Sequence, residues 1–362
     1  MGRFLAIAMI LSGCGRLGFD GVGPGPGMDP TDPPDPTMDP TPKTLQTCAV
    51  AGFTTQLVNG VDDLDLAVAV TPSGASLFGV DKAGGDLRGL ELSSDFLSAG
   101  PSTLVRAGNF SATSASYVAG TQIVAGLSGS IAVVHKVPAG HANPTEIAML
   151  DAMFIAKNTM LLANGDRVTP TACSAGLTVN PFDASWAPTT SQLAVTTGQS
   201  TGLASTPFGT DAMVVWSTMT SCHLERVIHL AQGTGGMQSW ACPFPRIAAN
   251  VAASTGTLVY EGGDGVRMAS FTSDSVDASS TLVAAGATSP RIAFDGTSYW
   301  IAYLDHAGAI TVGYVDATGA FQATTTDLTA AHDAFELTIA GGKVWVVSAG
   351  QTGVAARQIC IQ

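Results

Sequence analysis

The sequence predicts an all-β chain made of repeated four-stranded sheets, and three observations carry that expectation. The first is composition. Of 362 residues only 12% are charged, with five Glu and five Lys against 42 Gly. Water-facing helices need far more Glu and Lys on their outer sides, whereas Gly, Thr and Val suit strands joined by tight turns. The second is a period: Pro245-Arg246-Ile247-Ala248-Ala249 returns 45 positions later as Pro290-Arg291-Ile292-Ala293-Phe294, and 45 further on as Phe335-Glu336-Leu337-Thr338-Ile339. Trp300 and Trp345 also stand 45 apart. The third is the pattern within one period. Arg291–Phe294 alternates as a strand, Asp295-Gly296 marks a turn that needs positive φ, and Tyr299–Leu304, Ile310–Val315 and a run from Phe321 supply three more strands. Four strands every 40–50 residues or so is the mark of a β-propeller; stacked β-sandwiches need about 100 residues per unit.

Taken from the N-terminus, the first element is an address. Met1-Gly2-Arg3 carries one positive charge, Phe4 to Leu11 is an apolar run, and Leu11-Ser12-Gly13-Cys14 places small residues before a cysteine. That is the layout of a secretory signal, and eight apolar residues fall far short of the roughly 20 that cross a bilayer as a helix. The last four residues resemble the lipobox of bacterial lipoproteins. The resemblance implies a signal peptide at 1–13 and a mature N-terminus at Cys14 carrying acyl chains such as palmitate, anchored in a membrane. Position 15 is Gly rather than Asp, so the inner-membrane retention signal of enteric bacteria is not matched. The outer membrane or cell surface is the expected destination.

Residues 14–43 form the second element. Gly23-Pro24-Gly25-Pro26 and four Asp-Pro steps at Asp29, Asp32, Asp35 and Asp39 fix φ, remove backbone donors and repel one another, which keeps a chain extended and unpacked. At about 3.1 Å per residue the stretch from 20 to 43 spans roughly 70 Å.

Residues 44–362 form the propeller domain. Weaker copies of the repeat start near Leu203, Ile147, Ser111 and Leu66, so the seven starts are separated by 45, 36, 56, 44, 45 and 45 residues. The uneven pair sums to 92, twice the period. The last unit has only three strands, ending at Arg357–Ile361. Its fourth is expected from the domain's start, where Ala51-Gly52-Phe53 matches Gly319-Ala320-Phe321. A ring closed in this way leaves no open sheet edge, and it sets Cys48 beside Cys360 as a disulfide. Of the remaining domain cysteines, Cys222 and Cys242 share a unit and are the expected second bridge over pairings with Cys173; an exported protein permits both.

No catalytic, cofactor or metal motif stands out. Gly198-Gln199-Ser200-Thr201-Gly202 matches G-x-S-x-G, but strand rather than helix follows it, so it reads as an inter-strand turn. Cys222, His223 and Cys242 fit no zinc spacing. Asp62-Asp63-Leu64-Asp65 lacks the Gly and distant Glu of a calcium loop. The six histidines, at 135, 141, 223, 229, 306 and 332, form no ligand pair, and His306 falls at a hairpin tip. Alignment of the repeats does produce a constellation. The residue before each unit's first apolar position is Asp65, Phe110, Glu146, Gly202, Arg246, Arg291 and Glu336. In a propeller these positions ring one mouth of the central channel, with Arg246 and Arg291 as neighbouring anion-binding forks.

The formal net charge of −13 and the absence of any Lys/Arg cluster exclude a nucleic-acid partner, since phosphate binding needs a positive field. The short signal, Asp-Pro tether and Ala/Gly/Thr-rich repeats resemble the propeller-like lipoproteins of myxobacteria. The resemblance implies a monomeric, non-catalytic binding or scaffold module of the cell envelope, with an envelope protein or a glycan as ligand. The Trp and Gly-rich blade motifs of the propeller lipoprotein in the outer-membrane assembly machine are missing. The alternative is a hydrolase or lyase acting on polysaccharide, which needs two carboxyls about 5–10 Å apart; Asp65 and Glu336, adjacent through ring closure, are its candidate pair.

Overall fold

The computed structural model describes residues 45–361 except 54–56, 58–65, 82–83, 158, 163, 174–175, 190–192, 196–199, 229–230, 317–318, 329–333 and 351–352. Cys14, the expected signal and tether, and Asp62, Asp63 and Asp65 lie outside the described residues.

Seven antiparallel sheets follow one another along the chain, each from an innermost to an outermost strand. Blade 1 comprises Leu66–Thr71, Gly74–Val80, Leu87–Ser93 and Thr103–Arg106; blade 2 comprises Ala112–Val118, Thr121–Ser128, Ile131–Val137 and Thr145–Asp151. In blade 3 the innermost place is shared by two short strands, Phe154–Ile155 and Met160–Leu161. Both pair with Arg167–Cys173, and Gly176–Phe182 and Leu193–Val195 follow outside. Blade 4 holds Gly202–Phe208, Asp211–Ser217, Cys222–Ile228 and Ala231–Gln238, and blade 5 holds Arg246–Asn250, Thr255–Gly262, Gly265–Thr272 and Thr281–Ala285. Blade 6 runs through Thr288–Phe294, Tyr299–Leu304, Ile310–Val315 and Phe321–Leu328. Blade 7 has Ala334–Ala340, Lys343–Gly350 and Gly353–Ile361, completed by the first strand of the domain, Leu45–Phe53. Innermost strands of consecutive blades touch one another all the way round, including blade 7 against blade 1. The fold is a seven-bladed β-propeller.

The seam is closed as the sequence predicts: Leu45 pairs with Ile361 and Phe53 with Val354. Cys48 is bonded to Cys360, with their Cα atoms 5.9 Å apart. Cys222 and Cys242 form the second bridge, as expected. A metal reading of Cys222, His223 and Cys242 fails because both sulfurs are bonded to each other.

The repeat placed one blade wrongly. Ile147-Ala148-Met149 belongs to the outermost strand of blade 2, and the innermost strand of blade 3 begins at Phe154. With that start the uneven intervals of 36 and 56 become 43 and 49. The error arose because Ile147-Ala148-Met149 and Phe154-Ile155-Ala156 look like a hairpin, whereas the chain passes from one sheet to the next between them.

The core lies between blades. Seven buried clusters fill the seven blade-to-blade contacts. At the seam, for example, Leu66, Leu77 and Leu90 of blade 1 pack on Trp345, Val347 and Ala356 of blade 7. There Phe96 stacks on Trp345 with ring centres 4.7 Å apart. Each sheet therefore buries both faces, which is why its inner strands read as nearly continuous apolar runs. Two-residue turns join several hairpins; at Gly341-Gly342 both φ values are positive, 57° and 71°, a backbone that Gly adopts without penalty.

Strand alternation defines two faces. Glu336 pairs with Val347, Val347 with Ala356 and Ala356 with Ala51, so Phe53 lies at the upper end, where Ala334 begins, and Leu45 at the lower end beside Ile361. The domain's first strand thus enters from the face opposite to the one on which the innermost strands start.

Candidate functional site: the channel mouth

On the upper face the starts of the innermost strands converge. Gly202, Arg246, Arg291 and Glu336 lie on the inner strands of blades 4 to 7, as the repeat alignment places them. Phe110 sits just before the inner strand of blade 2, buried against Gly126, whose added Cβ would stand 2.6 Å from its ring. Glu146 does not join them. It lies on the outermost strand of blade 2, where its Oε2 is 3.2 Å from Arg106 Nη2 of blade 1.

The two arginines, 45 residues apart, have different fates. Arg291 is only 2% exposed. Its Nε donates to Phe335 O at 3.1 Å and lies 3.2 Å from Glu336 Oε2, its Nη1 donates to Ser289 O and Pro290 O, and its guanidinium covers the Phe335 ring. Arg291 is thereby tied to the protein itself, and Arg246 donates from Nη1 to Pro245 O at 3.0 Å. Arg246 is half-buried and lines a cavity of about 270 Å³. That cavity is bounded by the beginnings of blades 2, 3, 4 and 5. Its walls are apolar, from Leu127, Phe154, Ile155 and Leu203, with the exposed side chains of Met153 and Phe244 at the rim.

The cavity's other cation, Lys157, was missed by sequence reasoning. It follows Phe154-Ile155-Ala156, and with the unit's start placed at Ile147 it received no place in the ring. In the fold it sits between the two short inner strands of blade 3. From there Nζ donates to Leu66 O of blade 1 at 2.7 Å and reaches to 3.6 Å from Glu336 Oε1 of blade 7. One of only five lysines in the chain, set in an apolar run, was the available signal. Lys157, Glu336 and Arg291 thus form a line of alternating charge across the channel. With Arg246, the described channel mouth holds three cations and one anion in a chain whose overall charge is −13.

Gly202 explains how the rim closes. An added Cβ there would lie 2.7 Å from Pro245 Cδ and 3.0 Å from the Phe244 nitrogen, so only glycine lets the linker into blade 5 pass this close. That linker is fixed from its other side by Cys242, which is bonded to Cys222 and donates from its own amide to Ser217 Oγ at 3.0 Å. Ser200 is a buried turn residue whose hydroxyl donates to Gly202 O at 3.0 Å. Gly198 and Gln199 of that G-x-S-x-G match lie outside the described residues. His306 is exposed at the turn between Asp305 and Ala309.

No family model and no curated protein sequence matches the chain. Solved structures do match in fold. A BP39L lectin from Burkholderia pseudomallei superposes with a TM-score of 0.68 at 13% identity, over 83% of this chain and 96% of the lectin. Hydrazine synthase of Kuenenia stuttgartiensis gives 0.60 at 11%, covering 84% and 98%. Virginiamycin B lyase from Staphylococcus aureus gives 0.56 at 10%, covering 88% and 100%. At these identities the likeness is one of propeller architecture alone.

Proposed function

We propose that this protein is an exported, membrane-anchored, non-catalytic binding module that takes a ligand with an anionic group and an apolar body at the channel mouth. The observation that carries the reading is the cavity of about 270 Å³ in which Arg246 and Lys157 stand over walls of Leu127, Phe154, Ile155 and Leu203. A largely apolar concavity with a few convergent charges is the usual form of a small-ligand site. The two disulfides fit an oxidising compartment, and among the described residues no helix is long and apolar enough to cross a membrane. Anchorage is assigned to Cys14, in an outer membrane or at the cell surface. The partner expected at the channel mouth is an envelope protein or a glycan. The hydrolase reading is weaker: both oxygens of Glu336 face cations, at 3.2 and 3.6 Å, which makes it a structural counter-ion.

Anilinonaphthalene sulfonate, an apolar anion that fluoresces when desolvated, tests the site. It should bind the folded protein with unit stoichiometry, and Arg246→Glu should weaken that binding at least tenfold while near-ultraviolet circular dichroism is unchanged. Equal binding by the variant removes the channel mouth from consideration. Separately, Cys14→Ser should move the intact domain from the membrane fraction to the soluble one.

A further inference from the structure

Four of the five tryptophans are core residues, 2–3% exposed at Trp186, Trp216, Trp300 and Trp345. Trp240 alone is half-buried. It borders a groove of about 790 Å³ on the flank between blades 4 and 5, toward the upper face, and its neighbours are unusually well fixed. Its ring is backed by Tyr260, with centres 4.9 Å apart and planes 13° from parallel. Its Nε1 donates to Ala278 O at 3.4 Å. Two residues on, Cys242 is held by its disulfide. Beneath, the Tyr260 hydroxyl donates to Ser280 Oγ at 2.7 Å, and Arg267 donates from Nε to the same oxygen at 2.9 Å and from Nη2 to Ser280 O at 3.0 Å. Arg267 Nη1 is also 2.6 Å from Asp264 Oδ2, and the Asp264 side chain is 54% exposed. Gly262 leaves room for this arrangement, since an added Cβ would stand 2.7 Å from Arg267 Cδ.

We propose that this groove is a second binding site, distinct from the channel mouth, and that its ligand is an uncharged pyranose unit of a glycan. Three features select that class. A flat aromatic ring braced from behind suits the C–H face of a sugar ring. Asp264 and Arg267 set an acceptor beside donors at the rim, the arrangement that adjacent hydroxyls satisfy, and they neutralise each other. Finally, Glu261, Asp264 and Arg267 leave the groove with a net charge of −1, which disfavours anionic ligands, including the chain's own tether with its aspartates at 29, 32, 35 and 39. Because the polar groups are already tied to one another, little ordering is needed on binding.

The single accessible indole makes the test specific. N-bromosuccinimide should oxidise one tryptophan per chain, Trp240, identified by mass spectrometry of peptides. Neutral oligosaccharides of defined backbone (gluco-, manno-, xylo- and galacto-configured) serve as probes, and at least one should protect Trp240 and quench its fluorescence saturably. Asp264→Asn should raise that dissociation constant at least tenfold, Trp240→Ala should abolish the response, and Trp240→Phe should retain part of the binding by calorimetry. Arg246→Glu should leave the sugar response intact, which separates this site from the channel mouth. Failure of the whole series to protect Trp240 overturns the proposal. So does equal protection by a peptide of residues 23–40 or by tetramethylammonium, or an Asp264→Asn variant with unchanged affinity.

Discussion

In blade 6 the innermost strand runs unbroken from Thr288 to Phe294, while in blade 3 the same place is filled by two strands of two residues each, Phe154–Ile155 and Met160–Leu161. The consequences for the channel are opposite. On the regular side, blades 5 to 7, close packing encloses Arg291 and joins it to Glu336. On the broken side Lys157, set between the two short strands, reaches across the channel to Leu66 O and Glu336, and the cavity opens between the beginnings of blades 2 to 5. The repeat supplies stability where it is kept and a concavity where it lapses, in line with the tendency of local rules to fail at functional sites.

Arg291→Met gives the largest effect and breaks the regular side. It removes a buried partner from Glu336, and breaking such pairs costs about 3–5 kcal/mol. The low end is expected here, because Lys157 still faces Glu336 Oε1. Arg246→Met, 45 residues earlier and half-buried, should cost less than about 1 kcal/mol. Urea unfolding of the two variants compares them directly, and equal midpoints would mean that the buried line of charge adds nothing.

Gly313→Ala comes next and probes how tightly the same blade is packed. A Cβ at Gly313 would run into Gln322 O and lie 2.5 Å from Phe321 Cζ, and the backbone oxygen cannot yield without disturbing the outer hairpin. Overpacking of this kind costs about 1–3 kcal/mol. Gly120, in the first turn of blade 2, has nothing within 4 Å of an added Cβ and a φ of 78°, so Gly120→Asn should change stability by less than about 0.5 kcal/mol. A thermal melt in which Gly313→Ala matches the wild type would show that blade 6 has slack.

These contrasts also explain what could be read in advance. Blades 5 to 7 were legible because Pro-Arg-Ile-Ala and its relatives mark the entry to each inner strand, and Asp295-Gly296 marks a turn. The closing strand followed from the missing fourth strand of the last unit, and both disulfides followed from blade membership. Blade 3 was misplaced by one strand because a crossing between sheets and a hairpin share the same alternation of apolar residues. That single shift put Glu146 into the ring and left Lys157 out of it. The burial of Arg291 was equally invisible: Arg246 and Arg291 have the same local sequence, and only the Phe335 ring and Glu336, 44 and 45 residues away, separate their environments. The groove at Trp240 carried no repeat signal, since no other unit has a tryptophan at that place.

Histidine burial offers the smallest and most graded test of the two sides. Blade 2 encloses His135, 1% exposed, and the segment after its third strand encloses His141, 2% exposed; blade 6 has only His306, at an exposed turn. Burial first, and Arg106 second, hold His135 below the usual imidazole range, with Glu146 acting in the opposite sense. Burial likewise lowers His141, opposed by Glu91. Both are therefore neutral when folded at a pH where the unfolded chain, titrating near 6.5, has begun to take up protons. The unfolded state then binds more protons, so stability is full above about pH 6.5 and declines as the pH falls toward the folded values. The decline is at most about 1.4 kcal/mol per pH unit for each histidine. Urea midpoints measured from pH 7.5 down to 5.5 should show it, and the slope should be reduced in His135→Gln. A slope undiminished in both His135→Gln and His141→Gln would show that these two buried imidazoles do not take up the proton and would undo the comparison.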